Sequence, residues 1–378
     1  MRAAFAAGAS AVRVTTAEPD ERERLRLEAA YARGDVATWP YAAERARTST
    51  DPATLLPGAR SVVMLALTYA TSPPGRRPPL SGRVSNYAWA GDYHARLRAL
   101  AGAVAGELDR FAGSPVCRIA CDTAPLAERA FAARAGLGWV GKHANLIVPG
   151  LGSFVFLAEV VTTLALPPDP PLRKSCGSCA RCVEVCPTGA LRGDYTMDST
   201  RCISDLTQRR DAIPIALRPL VGDWVWGCDL CQDVCPPSRR AGPRGAPEFA
   251  PAASAATSAP SESAAGSAAF PDLQALLRMR GRAFRRAYGR TAMGWRGAVV
   301  LRRNAAVALG NSLDRAAVPA LEEALAGDPQ PLVRGHAAWA LGRIGSPRAR
   351  RALEAALAVE HDTAVLAEIV AAQTALGS

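Results

Sequence analysis

Over the first 170 residues, unbroken apolar runs alternate with stretches whose apolar positions recur every three to four residues. Ser61–Ala70 (SVVMLALTYA), Val116–Cys121 and Phe154–Leu164 have the length and β-branched content of buried strands, whereas Ala95–Phe111 and Leu126–Ala135 carry the helical period. Strands separated by helices predict an α/β domain over residues 1–170, closed by the proline-rich Leu166–Pro171 (LPPDPP). The pattern then changes. Residues 171–237 hold eight of the ten cysteines, so that module is expected to be organised by metal. Residues 238–270, dominated by Pro, Ala, Ser and Gly, read as a disordered linker.

From 271 to 378 the helical period returns as a repeat. NAAVALG (Asn304–Gly310) recurs 32 residues later as HAAWALG (His336–Gly342), and Ala320-Leu321-Glu322 recurs as Ala352-Leu353-Glu354 at the same offset. Each unit is a helix pair that buries its apolar face only against a neighbour, as in HEAT-like solenoids.

The 378 residues, 49% hydrophobic and 21% charged, suffice for two or three cored domains. No apolar run reaches the roughly 20 residues of a membrane helix; Leu151–Leu166 is broken by Gly152 and Glu159. Residues 1–12 imitate a secretory leader, but the apolar part is weak and Arg13 follows closely, so a cytoplasmic protein is expected. There thiols stay reduced, and ten cysteines imply metal or redox chemistry.

Cys176-x2-Cys179-x2-Cys182-x3-Cys186-Pro187 is a complete bacterial ferredoxin run, and Cys228-x2-Cys231-x3-Cys235-Pro236 repeats its second half, with Cys202 the simplest missing ligand. In such modules the last cysteine of each run crosses to the other cluster. One 4Fe-4S cluster is therefore assigned Cys176, Cys179, Cys182 and Cys235, the other Cys186, Cys202, Cys228 and Cys231. Paired zinc ribbons also use Cys-x2-Cys, but the x2, x2, x3 spacing before proline favours iron. Cys117 and Cys121 lack such spacing and read as small apolar residues.

Cys121-Asp122-Thr123-Ala124-Pro125 ends a strand and opens a helix, so Asp122 reads first as a helix N-cap. The turn Gly136-Leu137-Gly138-Trp139-Val140-Gly141-Lys142-His143 matches no nucleotide-binding signature. Only Lys142 and Lys174 are lysines, so a lysine beside three glycines hints at a compact cation that arginine cannot replace.

Taken in order, LLPGARSV (Leu55–Val62), GRVSNYAWAGDYH (Gly82–His94), DTAPLAERAFAARAGLGWVGKH (Asp122–His143), GSFVFLAE (Gly152–Glu159), CGSCARCVEVCPTGAL (Cys176–Leu191), RCISDLTQ (Arg201–Gln208) and GCDLCQDVCP (Gly227–Pro236) resemble the epoxyqueuosine reductases. The tail from Arg303-Asn304-Ala305-Ala306 also fits. The resemblance implies an α+β multidomain chain: an N-terminal α/β corrinoid-binding domain, a dicluster ferredoxin-like module and C-terminal HEAT-like repeats. It implies reduction of epoxyqueuosine to queuosine at the wobble position of tRNA, with cobalamin bound between the N-terminal domain and the ferredoxin module and an external electron donor feeding the clusters. Asp122 matches the family's proton donor, which predicts a carboxyl whose pKa is raised by burial. By motif position the corrinoid contacts are Ser85, Asp122, Leu146, Ser153, Leu157, Ser204 and Asp229, with Arg47 in place of an arginine expected near Ser49. The Asp-x-His-x-x-Gly corrinoid motif is absent, because Asp92-Tyr93-His94 leads to Leu97.

The chain has 45 Lys+Arg against 34 Asp+Glu, a formal charge of +11. Between Pro271 and Arg303 lie nine arginines and one acid, Asp272, a concentration that attracts phosphates. Gln208, Arg209, Arg210 and Arg303 are the expected tRNA contacts, on a monomer. Trp224, Trp226 and Tyr288 are alternatives for base stacking, or core. Two other readings share the cluster motif: a corrinoid reductive dehalogenase, and a dicluster electron carrier without an active site.

Overall fold

The apolar runs become strands of one antiparallel sheet in the computed structural model, which describes residues 1–36, 43–73, 75–251 and 268–377. Its strands are β1 (Ala11–Thr16), β2 (Ser61–Thr68), β3 (Cys117–Ala120) and β4 (Val155–Thr162), in the order β1-β2-β4-β3. Because β2 and β4 are central, nearly every residue in them is buried, which is why they read as continuous apolar runs. β1 lies just after the leader-like start of the chain and forms the other edge of the sheet, with Val12 and Thr15 buried and Arg13 exposed.

The helix Tyr93–Ala112 packs on β3 and β4 through Leu97, Leu100, Ala101 and Val104. Asp92 caps it by accepting the His94 N–H at 3.0 Å, and Gly113 ends it with φ 72°. The helix Glu128–Arg134 puts Phe131 and Ala132 into a core with Met64, Ala120, Leu157 and Val161.

The chain divides into two units. The first is Met1–Ser72, Asp92–Thr200 and Asp229–Phe249; the second is Pro73–Gly91, Arg201–Cys228 and Ala250–Ser378. The segments interleave because Arg83–Val84 pairs in parallel with Trp224–Trp226, and Ser81 bridges to Asp272. Part of the expected disordered linker is ordered. Pro236–Ala241 is helical, and Phe249 is buried with its ring centroid 5.5 Å from that of Phe156, so one aromatic anchors an otherwise proline- and alanine-rich stretch. Residues 252–267 of that linker lie outside the described residues.

In the second unit the repeat forms the helices Ala298–Ser312, Val318–Gly327, Pro331–Ile344, Pro347–Leu357 and Thr363–Gly377. A Cβ on Gly310 would stand 2.8 Å from Ala340 Cα, and one on Gly342 would stand 2.7 Å from Ala372 Cβ. The same repeat position therefore sets the close helix approach twice.

Candidate active site and cluster ligands

β3 stops at Ala120, paired with Glu159, whereas β4 runs on through Val155–Ala158 with only β2 beside it among the described residues. The chain leaves this open edge through Asp122, whose φ of 48° is left-handed, a conformation aspartate tolerates better than most residues. Asp122 Oδ2 accepts hydrogen bonds from the Tyr93 hydroxyl and from His94 Nε2, each at 3.0 Å. His94 Nδ1 lies 2.6 Å from Asp92 Oδ1, and the Tyr93 ring stacks between His94 and Phe156, both at 4.3 Å. The Asp122 side chain remains 52% exposed.

This geometry corrects two expectations. Asp122 caps no helix: the next one begins at Glu128 after Ala127, and Asp122 instead donates its backbone N–H to Glu128 Oε1 at 2.5 Å. Nor is its pKa raised. The His94 hydrogen bond holds it below the ordinary aspartate value, outweighing desolvation. His94 moves the opposite way, raised mainly by the same bond and further by Asp92. Proton affinity has passed from the carboxyl to the imidazole. Nothing in the sequence assigns His94 a role, since its partner lies 28 residues away.

In the first unit, Cys182 and Cys235 are buried. Burial raises both thiols; the charges of Cys176 and Cys235 raise Cys182 further, and those of Cys176 and Cys179 raise Cys235. Cys235 thus joins the neighbourhood of the first run despite its distance in sequence. The Cys176 N–H donates to the Tyr195 hydroxyl at 3.2 Å, and Lys142 Nζ donates to the Gly177 carbonyl at 3.0 Å, placing the rare lysine against the first Cys-x2-Cys loop. Among the described residues no three His, Cys, Asp or Glu side chains converge on a single metal ion. A cubane uses one thiolate per iron, so its ligands stand farther apart than those of a mononuclear zinc. Cys186 and Cys231 belong to the first unit, Cys202 and Cys228 to the second. Burial pushes Cys117 and Cys121 up to about 11, so both remain thiols.

The basic residues of the second unit separate sharply. Arg303 is 0% exposed and donates to the carbonyls of Leu206 at 2.8 Å, Arg209 at 2.9 Å and Asp211 at 2.5 Å, so it supports the Gln208–Arg210 loop from beneath instead of facing solvent. Arg209 is buried in an ion pair with Asp205, and Gln208 donates to the Ser204 carbonyl at 3.0 Å; Arg210 is exposed. Of the nine clustered arginines, Arg302 is buried beside Asp328, while Arg278 and Arg280 pair with Glu323 and Asp328. Arg282, Arg285, Arg286 and Arg290 are exposed. Trp224 and Trp226 are core, and burial pushes the Tyr288 hydroxyl up to about 12. Trp295 of this unit is exposed, 49% accessible, with the Arg296 guanidinium 3.8 Å over its ring.

Three family models match the chain: a 4Fe-4S double cluster binding domain over residues 175–238, HEAT repeats over 297–373, and Epoxyqueuosine reductase QueG, DUF1730 over 50–123. An epoxyqueuosine reductase of Bacillus cereus is 36% identical over 324 residues, covering 85% of this chain and 82% of that protein. The chain belongs to the epoxyqueuosine reductase family. A selenomethionine-labelled crystal structure of an epoxyqueuosine reductase matches with a TM-score of 0.90 at 33% identity, over 99% of this chain and 97% of that one. A second, of epoxyqueuosine reductase with a tRNA-Tyr epoxyqueuosine-modified tRNA stem loop, matches with 0.88 at 33% identity, over 100% and 97%. The double cluster domain makes the two 4Fe-4S clusters part of this protein.

The corrinoid expected of an epoxyqueuosine reductase carries amide groups around its rim. The open edge of β4 fits it, since alternate backbone N–H and C=O groups of Val155–Ala158 face outward beside Asp122. The side chains of Leu146 and Leu157 lie in the core, so these two offer backbone atoms. Ser153 Oγ is 3.0 Å from Ser238 Oγ, and buried Asp229 accepts from Gln232 at 3.3 Å. Arg47 pairs with Glu44 one turn away on its helix, and Ser49 accepts the Ala127 N–H at 2.7 Å through its carbonyl. Ser85 and Ser204 belong to the second unit.

Proposed function

We propose that this chain reduces epoxyqueuosine in tRNA to queuosine, with Asp122 as proton donor and His94 as the group that holds and returns its proton. The observation that carries the reading is the Tyr93–Asp122–His94 cluster at the open edge of β4. Removing an epoxide oxygen as water, with a C=C bond left behind, consumes two electrons and two protons. An acid within hydrogen-bond reach of that oxygen makes it a better leaving group. Cobalamin, when bound, supplies a reduced cobalt centre that acts on the epoxide carbon. Asp122, Ser153, Asp229, Ser85 and Ser204, the backbone at Leu146 and Leu157, and Arg47 are its proposed contacts. Cys176, Cys179, Cys182 and Cys235 hold one cluster, and Cys186, Cys202, Cys228 and Cys231 the other. Electrons enter from an external donor.

Phosphates of the tRNA meet Arg210 and the exposed Arg282, Arg285, Arg286 and Arg290, and Trp295 offers a face to an unstacked base. A reductive dehalogenase or an electron carrier has no use for such a basic repeat, and the likeness to epoxyqueuosine reductases runs through it. The test is anaerobic incubation of the reconstituted protein with an epoxyqueuosine-bearing stem loop, scoring loss of one oxygen by nucleoside mass spectrometry. Product is expected from the wild type, and none from Asp122→Asn with cluster absorption and bound corrinoid intact. No product from the wild type overturns the function; full activity in Asp122→Asn overturns the acid role.

A further inference from the structure

Glu159 is 0% exposed in the middle of β4, and neither of its carboxyl oxygens has a hydrogen-bond partner among the described residues. A carboxylate left unpaired in such a place is neutral, because burial without a partner penalises the charged form. Strand alternation turns Glu159 to the same face of β4 as Leu157 and Val161, the face covered by the helix that begins at Glu128. Glu128 in turn accepts the Asp122 N–H at 2.5 Å. Glu159 thus faces the helix that Glu128 opens, and Glu128 touches the Asp122 main chain at the open edge.

We infer that Glu159 and Glu128 form an internal proton reserve that supplies, through Asp122, the second proton of epoxide removal. The inference rests on the reductase reading above. The reaction takes up two protons, and Asp122 holds at most one. When substrate covers the half-exposed Asp122, desolvation raises its affinity toward that of Glu128, so a proton can pass between them. Burial, then the Asp122 charge, pushes Glu128 up to about 7, with Arg129 and His94 opposing. Burial, then the charges of Glu128 and Asp122, raise Glu159 well above its ordinary 4.5. The first proton reaches the epoxide oxygen from His94 through Asp122; the second reaches Asp122 from Glu128, which is refilled from Glu159, and Glu159 finally from solvent.

Glu159→Gln is the discriminating variant, since glutamine matches the neutral acid in shape and charge yet has no proton to give. Infrared spectra of the holoenzyme at pH 8, where the exposed carboxyls among the 34 Asp and Glu are ionised, should show a protonated-carboxyl C=O band that Glu159→Gln lacks. With the stem loop as substrate, kcat should fall about ten-fold with KM unchanged and the solvent isotope effect increased. Glu128→Gln should behave alike. A wild type without the band, or a Glu159→Gln enzyme with undiminished kcat, overturns the reserve and leaves the reductase reading standing. A wild type that shows the band but never reduces the stem loop overturns the reductase reading, and the reserve with it.

Discussion

His94 Nε2 stands 3.0 Å from Asp122 Oδ2, and the other nitrogen of the same ring stands 2.6 Å from Asp92 Oδ1. An imidazole between two carboxylates is stabilised as its cation, and that cation stabilises Asp122 as its anion. In the proposed reaction the first proton for the epoxide oxygen would be stored on the ring and expressed through the carboxyl.

Replacing His94 by Gln removes the cation while keeping a side chain of similar reach. The Asp122 pKa should rise toward the ordinary aspartate value, and turnover should fall by about 100-fold for want of the stored proton. The pH profile of kcat against that of the wild type checks both. An unchanged profile would show that Asp122 works without the ring.

Glu128 and Glu159 bind protons more tightly in the folded chain than at their ordinary value of 4.5. Over that window the folded state holds more protons than the unfolded state, so stability falls as pH rises. For Glu128 the loss runs from about 4.5 to about 7, and Glu159, raised well above 4.5, adds a loss of the same sign. Glu159→Gln should raise Tm more at pH 9 than at pH 5, as read by calorimetry.

Arg303 satisfies three main-chain carbonyls from a fully buried position. Arg303→Leu leaves them without that donor and should cost about 3 kcal/mol of stability. Chemical denaturation measures the loss, which should appear even without tRNA.

Arg282, Arg285, Arg286 and Arg290 contribute charge at the surface. Changing all four to Gln should leave Tm and cluster absorption intact while weakening stem-loop binding. The slope of log K against log salt should shrink by roughly 0.7 to 0.9 for each phosphate that is no longer neutralised. Binding titrations at several salt concentrations separate this from the structural role of Arg303.

Local chemistry was legible in the sequence. Cysteine spacing declares a cubane because ligands a few residues apart must reach adjacent irons. The apolar runs declared the two central strands, β2 and β4, since a central strand needs apolar side chains on both faces, whereas β3, read as buried, is a partly exposed edge strand. The 32-residue repeat declared a solenoid because each helix pair needs the next to cover it. Tertiary structure alone decided the rest. Arg303 and Arg282 are the same residue type in the same basic segment, yet one is buried beneath a loop and the other faces water. Asp122 looked like a cap or a buried acid, and folding gave it His94 as partner. Glu159 read as one more residue of GSFVFLAE until the strand register set it opposite Ala120, on the face that the Glu128 helix covers. A side chain's pKa and exposure depend on neighbours that are distant along the chain, and neither spacing nor composition records which of them arrive.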